Sequence, residues 1–431
     1  MPKHLGRYEV GAKIAGGGMA TVFLGRVRED EKKNGKSGER VVALKVVKPE
    51  LSADADFVEM FLDEAKIIAQ LAHPNISETL EVGVSEGHRF IAMELLLGRT
   101  LADVWEVRAL ERKALPLNLA AWIAARVAEA LHYAHEFKSV GGEPLHIIHR
   151  DVNPTNVILT YEGKVKLIDF GLVKAIGRLT RSAEGIVKGK VPYLSPEQAT
   201  GAAIDRRSDI YTLGITLWEI TTGKRLFKRE DDVATIKAIQ KAEVPDPRKD
   251  DASYPDDLWK IVQKALAVNP DDRYATAADL AAALDSFLKK GDANDLEPEL
   301  VRFMGDLFPG QQNKQLEWLA DATTKERSSP NMTMRPPVPV ADIEADDGKS
   351  KEPKDETAPV VLKNLHVPKP KTEPAEKKSE IDKDTSEKKT TTADAKSIEK
   401  RSHFDAIPLR VWVTVASLAL LLAVYLLLAR V

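Results

Sequence analysis

Four short stretches of this chain carry residues able to handle phosphate. In "IAGGGMATVFLG", Ile14 precedes the small residues Ala15, Gly16, Gly17, Gly18 and Ala20. Such a run lets backbone N–H groups approach a polyphosphate closely. In "VVALK", Lys45 ends an apolar run, and an ammonium so placed can point into a cleft. In "FLDEAK", Glu64 lies on a helical segment, where it could pair with Lys45 and orient it toward phosphate oxygens. In "HIIHRDVNPTNVILT", Asp151 sits in a polar core, His149 to Asn156, between two apolar, β-prone runs. Each stretch also has an ordinary reading: a glycine hairpin, an edge-strand lysine, a solvated helix glutamate, and a surface turn of Asp, Asn and Pro. A Rossmann fingerprint is excluded, because a strand-like run rather than a helix follows the glycines.

The elements that must position these residues divide the chain by texture. From Tyr8 to Met93 β-type runs dominate: "YEVGAKI", "ATVFLGRV", "RVVALKVV" and "RFIAMEL". One helix interrupts them at about 54–71, where Phe57, Met60, Phe61, Ile67, Ile68 and Leu71 recur at helical spacing. From Leu119 onward helices dominate, as in "LAAWIAARVAEALHYAHEF" and "DIYTLGITLWEITTG". A sheet-rich part followed by a helix-rich part reads as an α+β protein of two lobes. A helical extension over 291–327 carries two amphipathic segments and is expected to pack on the main domain. Residues 328–406, rich in Lys, Glu, Asp, Pro, Ser and Thr, read as a disordered linker that cannot bury enough apolar surface to offset ordering entropy.

The totals narrow the chemistry. A chain of 431 residues with 43% hydrophobic content has ample material for a core. Its net charge of −3 gives no global basic field, so nucleic acid is not expected as a partner. The absence of cysteine excludes disulfides, thiolate zinc sites and a cysteine nucleophile.

Taken in order, the glycine-rich hairpin, VALK, the helix glutamate, "HRDVNPTN", "DFG" at Asp169–Gly171 and "SPE" at Ser195–Glu197 resemble the bacterial Ser/Thr branch of the eukaryotic-like (Hanks-type) protein kinases. The resemblance covers about 8–290, with an N-lobe to about 95 and a C-lobe from 96. It implies a bilobal kinase fold and assigns roles by position. Ile14, Val22 and Ala43 would cover the adenine of ATP, Met93 would guard the back of the pocket, and Glu94 and Leu96 would offer hinge backbone hydrogen bonds. Lys45, locked by Glu64, would hold the α- and β-phosphates. Asp151 would accept the proton of the substrate hydroxyl. Asn156 and Asp169 would hold Mg²⁺, with Mn²⁺ able to take its place. Glu197 would form a buried pair with Arg273, and Asp209 would brace the catalytic-loop backbone.

Two departures touch the chemistry. Ser/Thr members of the family usually carry Lys two residues after the catalytic Asp, where this chain has Asn153. They usually carry Thr where this chain has Lys190, in "KGKVPYLSPE". In the family fold these positions are neighbours, so the missing ammonium is expected to have been relocated to Lys190, with Asn153 bonding either Lys190 or Asp151. The bland alternative is that Lys190 faces solvent and the enzyme is slow. Thr180 and Ser182 are candidate phosphosites between Asp169 and Glu197. Arg150 matches members whose loop is ordered by phosphorylation. Thr155 gives no sign of a preference for basic substrates.

Val411 to Ala429 carries no charge over a length close to the roughly 20 residues that span a bilayer. With Lys400, Arg401 and Arg410 before it, a single-pass transmembrane helix at 409–429 is expected, with the kinase domain facing the cytoplasm in a tail-anchored arrangement at the cytoplasmic membrane. The expected activity is ATP-dependent phosphorylation of Ser or Thr in protein substrates, including autophosphorylation, with a kinase homodimer as one allowed assembly. Asn153 keeps a catalytically silent scaffold open as the alternative and leaves tyrosine specificity open as well.

Overall fold

The computed structural model describes residues 2–17, 20–28, 39–48, 65–139, 141–170, 191–291 and 295–324. The chain separates into two units, Met1–Ile343 and Glu344–Val431, and every described residue belongs to the first. The expectations placed on Gly18, Glu64, Thr180, Ser182, Lys190, the linker and the C-terminal span therefore fall outside the described residues. Among the described residues, no helix is long and apolar enough to cross a membrane.

The N-terminal part is a six-stranded sheet of order β1-β2-β3-β4-β6-β5. Its strands are β1 His4–Leu5, β2 Tyr8–Gly16, β3 Ala20–Arg28, β4 Glu39–Val47, β5 Thr79–Ser85 and β6 His88–Glu94. All neighbouring pairs are antiparallel. Alternation decides which side of each strand is covered. Val42, Leu44 and Val46 of β4 join Tyr8, Phe90 and Ala92 in an apolar cluster. Val41, Ala43 and Lys45 lie on the opposite face, with Lys45 registered between Val22 of β3 and Ile91 of β6.

The larger part is helical. Its main helices are α1 Leu101–Leu110, α2 Leu117–His135, α3 Pro196–Thr200, α4 Arg207–Thr222, α5 Asp232–Lys241, α6 Asp256–Ala265 and α7 Ala277–Lys290. Alanine-rich α2 is buried along most of its length, because small side chains let α4 and α7 pack around it. A three-stranded sheet of order β7-β8-β9, Gly98–Thr100, Val157–Thr160 and Val165–Leu167, lies in this part. Glycine is required at 98, since a Cβ there would stand 2.2 Å from the Leu159 carbonyl oxygen. The helices α8 Glu297–Leu307 and α9 Gln311–Thr324 follow. Leu300, Met304 and Phe308 of that segment are buried in the main core.

Two features differ from the sequence reading. Strands β5, β7 and β9 were not anticipated, whereas β8 is the β-prone run read after Asn156. The apolar run at 146–148, read as β-prone, is irregular. The following backbone N–H groups, of His149 and Arg150, donate to the carboxylate of Asp209 instead of to a neighbouring strand.

Candidate active site

The segment 149–156 is held from below by a buried carboxylate. Asp209, in the first turn of α4, is fully buried and accepts from the His149 N–H at 2.8 Å and the Arg150 N–H at 2.7 Å. Nε2 of His135 donates to the same carboxylate at 2.8 Å. Burial pushes the Asp209 pKa up, but the His135 hydrogen bond, the nearby imidazoles and the backbone donors outweigh it, so the group lies below its ordinary value. Arg150 adopts φ +66°, a left-handed conformation that costs a non-glycine residue about 1 kcal/mol. Its amide is held by Asp209 and its carbonyl accepts from Nε2 of Gln198 at 2.9 Å.

His149 links this loop to the next segment. Its Nε2 donates to the Ile168 carbonyl at 3.0 Å, and its Nδ1 accepts from the Asp151 N–H at 3.3 Å. A carbonyl can only accept and an amide N–H only donate, so the ring is the neutral tautomer protonated on Nε2. Its ring stands 4.6 Å from that of Phe170, which is buried in the main core. With Phe170 so anchored and Asp169 at φ +65°, the Asp169 carboxylate meets Lys45 of β4, Nζ to Oδ1 at 2.5 Å. That pair joins the two lobes across the cleft.

Asp151 is 8% exposed, and both carboxylate oxygens are engaged by neighbouring amides. Nδ2 of Asn153 donates to Oδ1 at 2.9 Å and Nδ2 of Asn156 donates to Oδ2 at 2.8 Å. The same two amides also donate to the Asp151 carbonyl, at 3.0 and 2.8 Å. Asn153 in turn caps the short 3-10 turn Pro154–Asn156, its oxygen accepting from the Thr155 N–H at 2.9 Å and the Thr155 hydroxyl at 2.5 Å. Asn153 is thus fully used within the loop, with its amide directed at Asp151.

Around the nucleotide end, Met93 lines a cavity with Ala65, Ile68, Thr79, Ile91 and Phe170. The Glu94 N–H donates to the Glu78 carbonyl at 3.0 Å, so any contact of Glu94 with adenine falls to its carbonyl. Its carboxylate is tied to β9 by Lys166 at 2.7 Å. Val22, Met93 and Leu96 retain partial exposure, while Ile14 and Ala43 are buried. Lys45 and Asp169 are brought together; Glu64 and Lys190 lie outside the described residues.

The substrate-side supports are also assembled. Arg273 forks onto Glu197, Nη1 to Oε1 at 2.7 Å and Nη2 to Oε2 at 2.9 Å, and the Ser208 hydroxyl donates to the same carboxylate. Burial pushes Glu197 up, but the hydrogen bonds from Arg273 and Ser208 prevail and hold its pKa at about 2. Tyr193 donates its hydroxyl to the buried Glu219 at 2.7 Å, with Arg225 beside both. Sequence reasoning missed His135, Gln198, Ser208, Glu219 and Arg225. Gln198 had a local signal, since Ser195 and Gln198 form a capping box at the start of α3. The others are joined only by the fold.

The donor set suits a hard cation. Asp169 offers a carboxylate and Asn156 an amide oxygen. Among the described residues, no group of three His, Asp or Glu side chains could hold a metal ion.

A family model for the protein kinase domain matches residues 8–284. The tyrosine-protein kinase MasK of Myxococcus xanthus is 43% identical over 286 residues, covering 66% of this chain and 43% of that protein. The serine/threonine-protein kinase PrkC of Bacillus subtilis is 34% identical over 277 residues, covering 64% and 40%. PknB of Mycobacterium leprae, a serine/threonine-protein kinase, is 36% identical over 289 residues, covering 66% and 43%. The chain thus spans less than half the length of these relatives. The solved PknI kinase domain of Mycobacterium tuberculosis is 27% identical with a TM-score of 0.49, covering 66% of this chain and 97% of that one.

Proposed function

The chain belongs to the protein kinase family, and from that footing we propose that it transfers the γ-phosphoryl group of ATP to a serine or threonine hydroxyl of a protein. The single observation that carries the reading is the pair of carboxylates at the cleft. Asp151 is oriented by two amides, and Asp169 is paired with Lys45 from the opposite lobe. A substrate hydroxyl oxygen would bond to the γ-phosphorus as the bond to the β-phosphate oxygen breaks and ADP departs. The hydroxyl proton passes to Asp151. Lys45 would hold the α- and β-phosphates, and Asp169 with Asn156 would hold the divalent ion that neutralises charge on the phosphates. Against the silent-scaffold alternative stand the presence of Lys45, Asp151, Asn156 and Asp169 together, the Lys45–Asp169 pair and the Asn156–Asp151 hydrogen bond.

Tyrosine is the second reading. It is favoured by Asn153 in place of the usual lysine and by the 43% identity to a relative named as a tyrosine kinase. Phosphoamino-acid analysis after incubation with labelled Mg-ATP separates the two. Label on serine or threonine alone supports the first reading, and label on tyrosine overturns it.

Three further parts of the proposal rest on sequence. Lys190 supplies the cation that Asn153 lacks. Thr180 and Ser182 are autophosphorylated, and mass spectrometry that finds phosphate on neither removes this mechanism. Residues 409–429 anchor the kinase to the cytoplasmic membrane, which fractionation of the full chain against a chain ending at 406 tests. A full chain recovered in the soluble fraction rules the anchor out.

A further inference from the structure

The helices α8 and α9 form a strap beside the hinge. At its lower end, Lys164 bonds Glu297 at 2.6 Å, and Leu300, Met304 and Phe308 are buried in the main core. Arg99, next to Gly98, lies over the Phe308 ring at 5.4 Å and donates to Gln311 at 3.1 Å. Fully buried Gln315 donates to the Gly98 carbonyl at 3.3 Å. At its upper end the strap reaches the other lobe. Trp318 and Ala322, one and two turns beyond Gln315, form an apolar cluster with Ile14 and Leu24. Ala12, Val22, Val41, Leu95 and Leu319 pack against that cluster. Of these residues, Val22, Leu24 and Val41 lie on the sheet face that carries Ala43 and Lys45.

Ile14 leads into the glycine-rich turn, and Val22 leads out of it. The helix therefore grips both stems of the hairpin proposed to cover the nucleotide, and it does so from an anchor on the lower lobe. Ile14 is only 6% exposed, while Val22, Met93 and Leu96 keep partial exposure. Trp318 thus helps to bury Ile14, while apolar surface stays partly exposed at Val22, Met93 and Leu96. The indole N–H of Trp318 has no hydrogen-bond partner among the described residues. The ring contributes through its apolar area, so phenylalanine should serve in its place.

We propose that Trp318 is a positioning residue of the nucleotide site, holding Ile14 and the glycine-rich hairpin over the adenine end by tethering the upper lobe to the hinge. The proposal rests on the ATP reading of the site. Its effect falls on nucleotide affinity, because pre-setting the hairpin removes an ordering cost from binding. The protein substrate approaches elsewhere and should not sense it.

The test uses the full chain. ADP affinity in magnesium buffer is measured by calorimetry, and steady-state kinetics are measured with ATP and a protein substrate. The variants are Trp318→Ala, Leu319→Ala, Trp318→Phe and the exposed control Glu317→Ala. Trp318→Ala should weaken ADP binding and raise the KM for ATP by about tenfold, the change set by roughly 1.4 kcal/mol. Its kcat at saturating ATP and its KM for the protein substrate should stay within about twofold. Leu319→Ala, a smaller change, should move in the same direction, and it decides the matter if Trp318→Ala does not fold. Trp318→Phe and Glu317→Ala should match the parent chain. Unchanged ADP affinity in both alanine variants would show that the helix only covers apolar surface. Tighter ADP binding would show that it obstructs the site. Either result overturns the proposal. A parent chain that binds no ADP would overturn the nucleotide reading itself, a result the variants do not mimic.

Discussion

Asn153 donates its side-chain amide to Oδ1 of Asp151 at 2.9 Å, while its oxygen accepts from the backbone and hydroxyl of Thr155. This neutral residue therefore fixes the angle of the proposed base without bringing a charge to it. Asn153→Ala should lower kcat by about 10²-fold, the effect of misplacing a reacting group by about an ångström. The KM for ATP should change little. A variant with unchanged kcat would mean that Asn156 alone orients Asp151.

On the proposed relocation, Lys190 supplies the charge. Lys190→Met should lower kcat by about 10²–10³-fold, as loss of one preorganised donor at a developing charge does. Adding Asn153→Lys to that variant should restore part of the rate. Full phosphoryl transfer by Lys190→Met alone would show that no relocation has taken place.

Asp209 joins two chain segments through a single carboxylate. Asp209→Ala strips the acceptor from the His149 and Arg150 amides, each a buried donor worth about 1–3 kcal/mol when orphaned. Urea unfolding should show a loss of several kcal/mol, and kcat should fall as the loop loses its brace. Unchanged stability would mean that water replaces the carboxylate.

Glu197 has a folded pKa of about 2, below the ordinary carboxylate value of 4.5. A depressed carboxylate pKa contributes stability above the unfolded value and loses it as pH falls through the folded one. The stability advantage of the parent chain over Glu197→Gln should therefore be full above about pH 4.5 and shrink toward pH 2. Removing the partner instead, by Arg273→Leu, should cost about 3–5 kcal/mol near neutral pH, because it leaves a buried carboxylate unpaired. A difference between parent and Glu197→Gln that does not vary with pH would show that the pair is not ionised as described.

The two lobes were legible in the sequence because their signals are local. Period-two apolar runs marked β2, β3, β4 and β6, and Asp151 and Asp169 lie in short motifs of fixed order. Strand β5, "TLEVGVS", was missed although Leu80, Val82 and Val84 alternate with Glu81, Gly83 and Ser85; the run is short and leaves its residues partly exposed. The run at 146–148 is irregular and leads into the His149 and Arg150 amides, which are held by Asp209 on a distant helix, a partner that nothing local reveals. Trp318 had only an amphipathic helix to mark it. Nothing local shows that its face meets Ile14, which lies in the first strands of the chain.

The central claim, that Asp151 serves as the base of a protein phosphotransferase, is tested most directly by following ³²P transfer from Mg-ATP to a protein substrate. The parent chain and Asp151→Asn are compared at matched folded concentration. The catalytic reading predicts transfer by the parent and a drop of about 10²–10⁴-fold in the variant, the usual contribution of a positioned general base. It also predicts that ADP binding is retained in the variant. Equal transfer by both proteins would contradict it, as would a parent chain that binds nucleotide but labels nothing.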